Sequence, residues 1–120
     1  MEIVPYELAK KLKEKGFNAE SKYSLGYYDK LGNFMSAADH WFLNGWIIAP
    51  TISQVLKWLR EEKKIFICID LRFDVLQGKF VYRFYITNLI NQDRDSTLED
   101  YNDWESTAIA GTEYCLDNLI

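Results

Sequence analysis

A carboxylate beside an imidazole is the smallest arrangement that suggests acid–base chemistry, and this chain holds one, Asp39-His40. Trp41 follows directly, and Trp46 lies in the same aromatic stretch. His40 is the only histidine. A general base needs a nucleophile to activate and a group to stabilise developing charge, all within hydrogen-bond reach. Neighbours on a strand point to opposite faces, so Asp39 and His40 would meet only in a loop. No nucleophile elbow and no loop cysteine stands near them in sequence. Asp39, His40, Trp41 and Trp46 are therefore a candidate pocket for a small ligand or a minor enzyme. A turn-capping aspartate and a part-exposed histidine are the simpler account.

Other chemistries find less support. One histidine and two separated cysteines give no ligand pair at the spacings zinc uses. Asp93, Asp95 and Asp103 lack the glycine and closing glutamate of a calcium loop. The six glycines are dispersed, with no phosphate cradle between a strand and a helix start, so no metal or cofactor is expected. "GKFVYRFY" interleaves aromatic and basic residues as some RNA-binding sheets do, but its spacing differs from that signature. Its Phe80, Tyr82 and Phe84 also fall on the face a core requires. Nucleic acid is not an expected partner.

A more informative surface lies on the other face of that strand. In "IFICIDLRF" and "KFVYRFYI", the residues at Ile65, Ile67, Ile69, Leu71 and Phe73 and at Phe80, Tyr82, Phe84 and Ile86 alternate as a half-buried hairpin does. The reverse faces carry Phe66, Asp70, Arg72, Arg83 and Tyr85. Aromatics and arginine at the centre of a sheet are what interfaces favour. These five residues form the candidate partner face, with Asp70 and Arg83 as a cross-strand pair. The apolar faces of the two strands coincide only if odd positions pair with even ones.

Three helices are available to cover such a sheet. The first opens at Pro5, which suits the initial helical position, and stops at Gly16 and Phe17, with Leu8, Ala9 and Leu12 on its apolar face. "PTISQ" opens the second with a Thr51/Gln54 capping box, ahead of Ile52, Val55, Leu56 and Leu59. The third has two possible starts, Ser96 or Asp103. A start at Asp103 lines up Trp104, Ala108, Thr112, Cys115 and Leu119. Gly111 then sits mid-helix, tolerable if the helix packs closely on the sheet there. Earlier in the chain, "DKLGN" and Asn44-Gly45 are turn signals for two short hairpins.

At 120 residues, with four Trp, eight Tyr and seven Phe, the chain has the length of one domain (1–120) and ample material for a core. No apolar run approaches the ~20 residues of a membrane span, and the start has no signal-peptide layout. Cys68 and Cys115 read as reduced core residues of a cytoplasmic protein. Net charge is −4, but residues 1–92 sum to +3 and residues 93–120 to −7. The acidic stretch is expected to be a solvated loop feeding the last helix.

The segments "ELAKKLKEKGF", "APTISQVLKWLREEK" and "EYCLDNLI" together resemble a family of short, uncharacterised proteins encoded by phages and prophages of Bacteroides-type bacteria. That resemblance implies a small protein of a mobile element and carries no catalytic residue. The expected fold is α+β: a single antiparallel sheet of about four strands flanked by three helices, in the order α-β-β-α-β-β-α. The expected role is a non-enzymatic accessory protein that binds another protein or itself.

Overall fold

The computed structural model describes residues 3–17, 26–36, 47–96 and 99–120. Among these residues the fold is α+β with three helices, as expected, but the strands make two three-stranded antiparallel sheets instead of one sheet of about four. The first hairpin does not join the long one: it pairs instead with the short strand expected after Asn44-Gly45, and a further two-residue strand with no periodic signal extends the other sheet. The chain divides into two compact units, Met1–Val55 and Leu56–Ile120.

In the first unit, α1 (Tyr6–Glu14) buries Leu8, Ala9 and Leu12, one turn apart on one face. Pro5 sits one position earlier than expected, as the N-cap, where its missing N–H again costs nothing. The helix ends in a full Schellman motif: Phe17 N–H donates to Leu12 C=O, and Gly16 N–H donates to Lys13 C=O. Gly16 carries the left-handed φ of +92° that this ending demands. The sheet has the order β2-β1-β3, with β1 (Gly26–Tyr28) between β2 (Phe34–Ser36) and β3 (Ile47–Ile48).

The "DKLGN" turn joins β1 to β2. Asp29 accepts from the backbone N–H groups of Leu31 and Asn33, and Gly32 takes a φ of +89°. Tyr28 is buried, donates to Val4 C=O and lies edge-on to both Tyr6 and Phe34. The Asn44-Gly45 turn lies outside the described residues. Helix α2 (Ile52–Glu62) opens with its capping box formed: Thr51 N–H donates to Gln54, and Gln54 N–H donates to the Thr51 hydroxyl.

The second unit is built on a long hairpin. Strands β4 (Ile65–Asp74) and β5 (Lys79–Asn88) pair in the register Ile67↔Ile86, Ile69↔Phe84, Leu71↔Tyr82, odd with even throughout. β6 (Arg94–Asp95) adds to the other side of β5, and Tyr101 continues that side by exchanging backbone hydrogen bonds with Tyr82. Helix α3 (Trp104–Asn118) starts at Asp103, whose carboxylate caps Ser106 N–H. No helix starts at Ser96, whose hydroxyl donates instead to Phe84 C=O.

α3 buries Thr107, Ala108, Gly111, Thr112, Cys115 and Leu116. Trp104 and Leu119, expected on this face, are exposed at its two ends. Gly111 explains how closely the helix lies on the sheet. A Cβ there would stand 3.1 Å from Ile67 Cγ2 and 3.3 Å from Phe84 Cγ, tighter than ordinary van der Waals contact.

Candidate functional site

The β4–β5 hairpin is the feature that sets this molecule apart, because its two ends have different surroundings. Near the strand ends that carry Ile65 and Ile86, the apolar face is sealed: Ile65, Ile67, Phe84 and Ile86 are all buried, and Phe84 packs against the rings of Tyr101 and Tyr114. Toward the turn the same face opens. Leu71, Phe73 and Phe80 are 51%, 54% and 61% exposed, and Phe73 and Phe80 stack edge-on at 5.1 Å. Phe80, expected in the core, is therefore a surface residue, while Phe84 of the same strand is core and Tyr82 is intermediate.

The turn adds to this surface. Asp74 accepts from the N–H groups of Leu76 and Gln77, and Gly78 closes the turn with a φ of +67°. The hydrogen bonds from Gln77, backbone first and then side chain, hold the Asp74 carboxyl below its usual range. Val75 and Leu76 stand almost fully exposed at the tip, 81% and 98%. Five apolar side chains thus share one end of one hairpin. Contiguous exposed apolar surface on this scale marks contact sites more often than isolated residues do.

The reverse face gathers the candidate partner residues as the alternation requires. Phe66, Asp70 and Arg72 from β4 share it with Arg83 and Tyr85 from β5, and Phe66 is 41% exposed. Asp70 stands directly opposite Arg83 in the register, yet Arg83 Nε donates to Asp100 instead, at 2.5 Å. That hydrogen bond raises the guanidinium pKa further. Asp100 lies 17 positions along the chain, beyond the reach of any pattern within the hairpin. Among the described residues, Arg72 reaches the Tyr85 hydroxyl, at 3.5 Å. Cys68, expected in the core, is exposed on this face.

The acidic segment is more structured than a plain solvated loop. Asp95 accepts from the Tyr114 hydroxyl and from Ser96 N–H, while Asp100 and Asp103 hold Arg83 and the start of α3. A cleft of about 490 Å³ opens beside β6, lined by Ile65, Ile86 and Leu119 together with charged Lys63, Asp93, Arg94 and Asp95. Its charges are mixed in sign and select no ligand class. Among the described residues, no group of three His, Cys, Asp or Glu side chains converges as a metal site would. No helix among them is long and apolar enough to cross a membrane.

Asp39, His40, Trp41 and Trp46, the candidate pocket, lie outside the described residues. No protein-family model, curated protein or solved structure matches the chain.

Proposed function

We propose that the chain is a non-enzymatic accessory protein of a phage or prophage, acting by protein–protein contact through the turn end of the β4–β5 hairpin. The observation that carries this reading is the open apolar face there: Leu71, Phe73, Val75, Leu76 and Phe80 are all at least half exposed. Fully burying an exposed side chain of this kind is worth roughly 1.5–3 kcal/mol, so half-exposed Leu71, Phe73 and Phe80 each forfeit about half of that, and a partner recovers part of it. The aromatic pair supplies rigid, large-area anchors of the kind that dominate interface energetics.

Photo-cross-linking tests the reading directly. A benzophenone amino acid is placed at Leu76 or Phe80, and for comparison at Lys13, an exposed residue of α1. Discrete protein adducts from the two hairpin positions and none from Lys13 are the expected result. An absence of adducts at the hairpin, or an identical set at Lys13, overturns the reading.

A further inference from the structure

β4 is an edge strand: β5 lies on one side of it, and no strand of the described residues lies on the other. Which of its backbone groups face that open side follows from β5. Tyr82 exchanges hydrogen bonds with Tyr101, and Asn88 N–H donates to Asp93 C=O, so the even positions of β5 face β6. Its odd positions therefore bond to β4, and the register makes their partners the even residues of β4. Ile69, Leu71 and Phe73 thus turn their N–H and C=O groups outward along an exposed stretch. Such an edge is a template for another strand.

Natural edges are often protected by a charge that repels a second strand. Here the two charges in the exposed stretch, Asp70 and Arg72, have opposite signs and flank Leu71 symmetrically, both on the reverse face. Among the described residues Asp70 has no ion-pair partner, because Arg83 opposite it is engaged by Asp100. The arrangement is complementary to itself.

We infer that the partner of this edge is a second copy of the chain, paired antiparallel about a two-fold axis at Leu71. The inference rests on the reading of the hairpin as the contact element and places a second copy along its edge, which joins the two apolar faces into one larger surface. In this register Asp70 faces Arg72 of the other copy, and Arg72 faces its Asp70. Both are non-hydrogen-bonded pairs, in which side chains approach most closely. Leu71 meets its own equivalent, and Phe73 meets Ile69, with the backbones of all three exchanging hydrogen bonds. A two-fold axis normal to the sheet keeps faces together, so the apolar side chains of both copies fall on one surface. The adjacent symmetric registers are opposed by charge. Centring on residue 70 sets Asp70 against Asp70, and centring on residue 72 sets Arg72 against Arg72.

Sedimentation velocity on the full chain over a wide concentration range reads the association. The wild type forms a dimer as concentration rises. Asp70→Arg and Arg72→Asp each weaken it by about tenfold, since each puts like charges across both pairs. The double variant Asp70→Arg/Arg72→Asp recovers wild-type association, because it restores both pairs with the signs exchanged. In a Cys68→Ser background, Leu71→Cys closes an intermolecular disulfide on mild oxidation. Phe73→Cys does not, since its equivalents lie too far apart in this register. A wild type that stays monomeric, a double variant that fails to recover, or equal cross-linking at positions 71 and 73 overturns the inference. A monomer that still forms hairpin adducts with a different protein removes the second copy and leaves the proposed function standing. A chain with no hairpin adducts removes both.

Discussion

The two ends of the β4–β5 hairpin have the same alternating composition and opposite fates. At one end Ile67 and Phe84 lie under α3, 9% and 2% exposed; at the other, Phe73 and Phe80 are more than half exposed. Length explains the contrast. Ten residues of strand extend ~34 Å at 3.4 Å per residue. Fifteen residues of helix extend only ~22 Å at 1.5 Å per residue, and α3 meets the sheet at Gly111, against Ile67 and Phe84. One helix cannot seal the whole face. Alternation therefore identifies a face that prefers burial, while the reach of the neighbouring element decides which part obtains it.

The two cysteines offer the sharpest way to break this comparison. Cys115 is fully buried on the inner face of α3, and burial pushes its thiol up to about 12, whereas Cys68 is exposed on the reverse face of the hairpin. A thiol reagent at mild alkaline pH should modify one thiol per native chain, at Cys68, and two after denaturation. Mass spectrometry of the labelled peptides locates them. Rapid native labelling of Cys115 would show that α3 does not stay seated on the sheet.

Alanine substitutions give the next largest contrast. Phe84→Ala removes a buried ring held between the sheet and α3 and should cost about 3–5 kcal/mol in urea unfolding. Phe80→Ala, four residues earlier on the same face, should stay within about 0.5 kcal/mol, because its ring already meets water. Equal losses would mean that the turn end is covered in solution.

The smallest effect is expected from acid. The backbone N–H and then the side chain of Ser106 lower the pKa of Asp103 below the ordinary value of 3.8. A depressed folded-state value stabilises the fold at pH above 3.8, and the contribution fades as pH falls through the folded-state value. Asp103→Ala should thus lower the melting temperature at neutral pH, with the difference from wild type closing as pH falls through the depressed folded-state value. Asp103 is exposed, so solvent screens the effect. A difference that persists unchanged in acid would assign the loss to helix propensity instead of the carboxylate.

Much of this architecture was legible in the residues because the relevant interactions are local. The Schellman ending at Gly16, the Thr51/Gln54 capping box, the Asp29 turn and the start of α3 at Asp103 each depend on groups a few positions apart. The parity of the β4–β5 register followed from alternation alone. The division into two sheets was not legible, because which strands lie side by side depends on residues far apart in the chain, and β6 contributes only two residues. The register points Arg83 to Asp70, but a carboxylate from far along the chain, Asp100, takes it. Composition and pattern point Cys68 and Phe80 into a core, and both are exposed.

The sequence by itself determined where helices and turns begin and end, which faces are apolar, and that Asp70 and Arg72 flank Leu71 with opposite sign. These are matters of backbone geometry and side-chain period, settled within a few residues. Only the tertiary structure decided that α3 stops short of the turn, that Asp100 takes Arg83 from Asp70, and that β4 is left at an open edge. Those outcomes depend on how far each element reaches and on which groups from elsewhere in the chain arrive beside it. The same apolar alternation therefore yields a core at one end of the hairpin and a contact surface at the other.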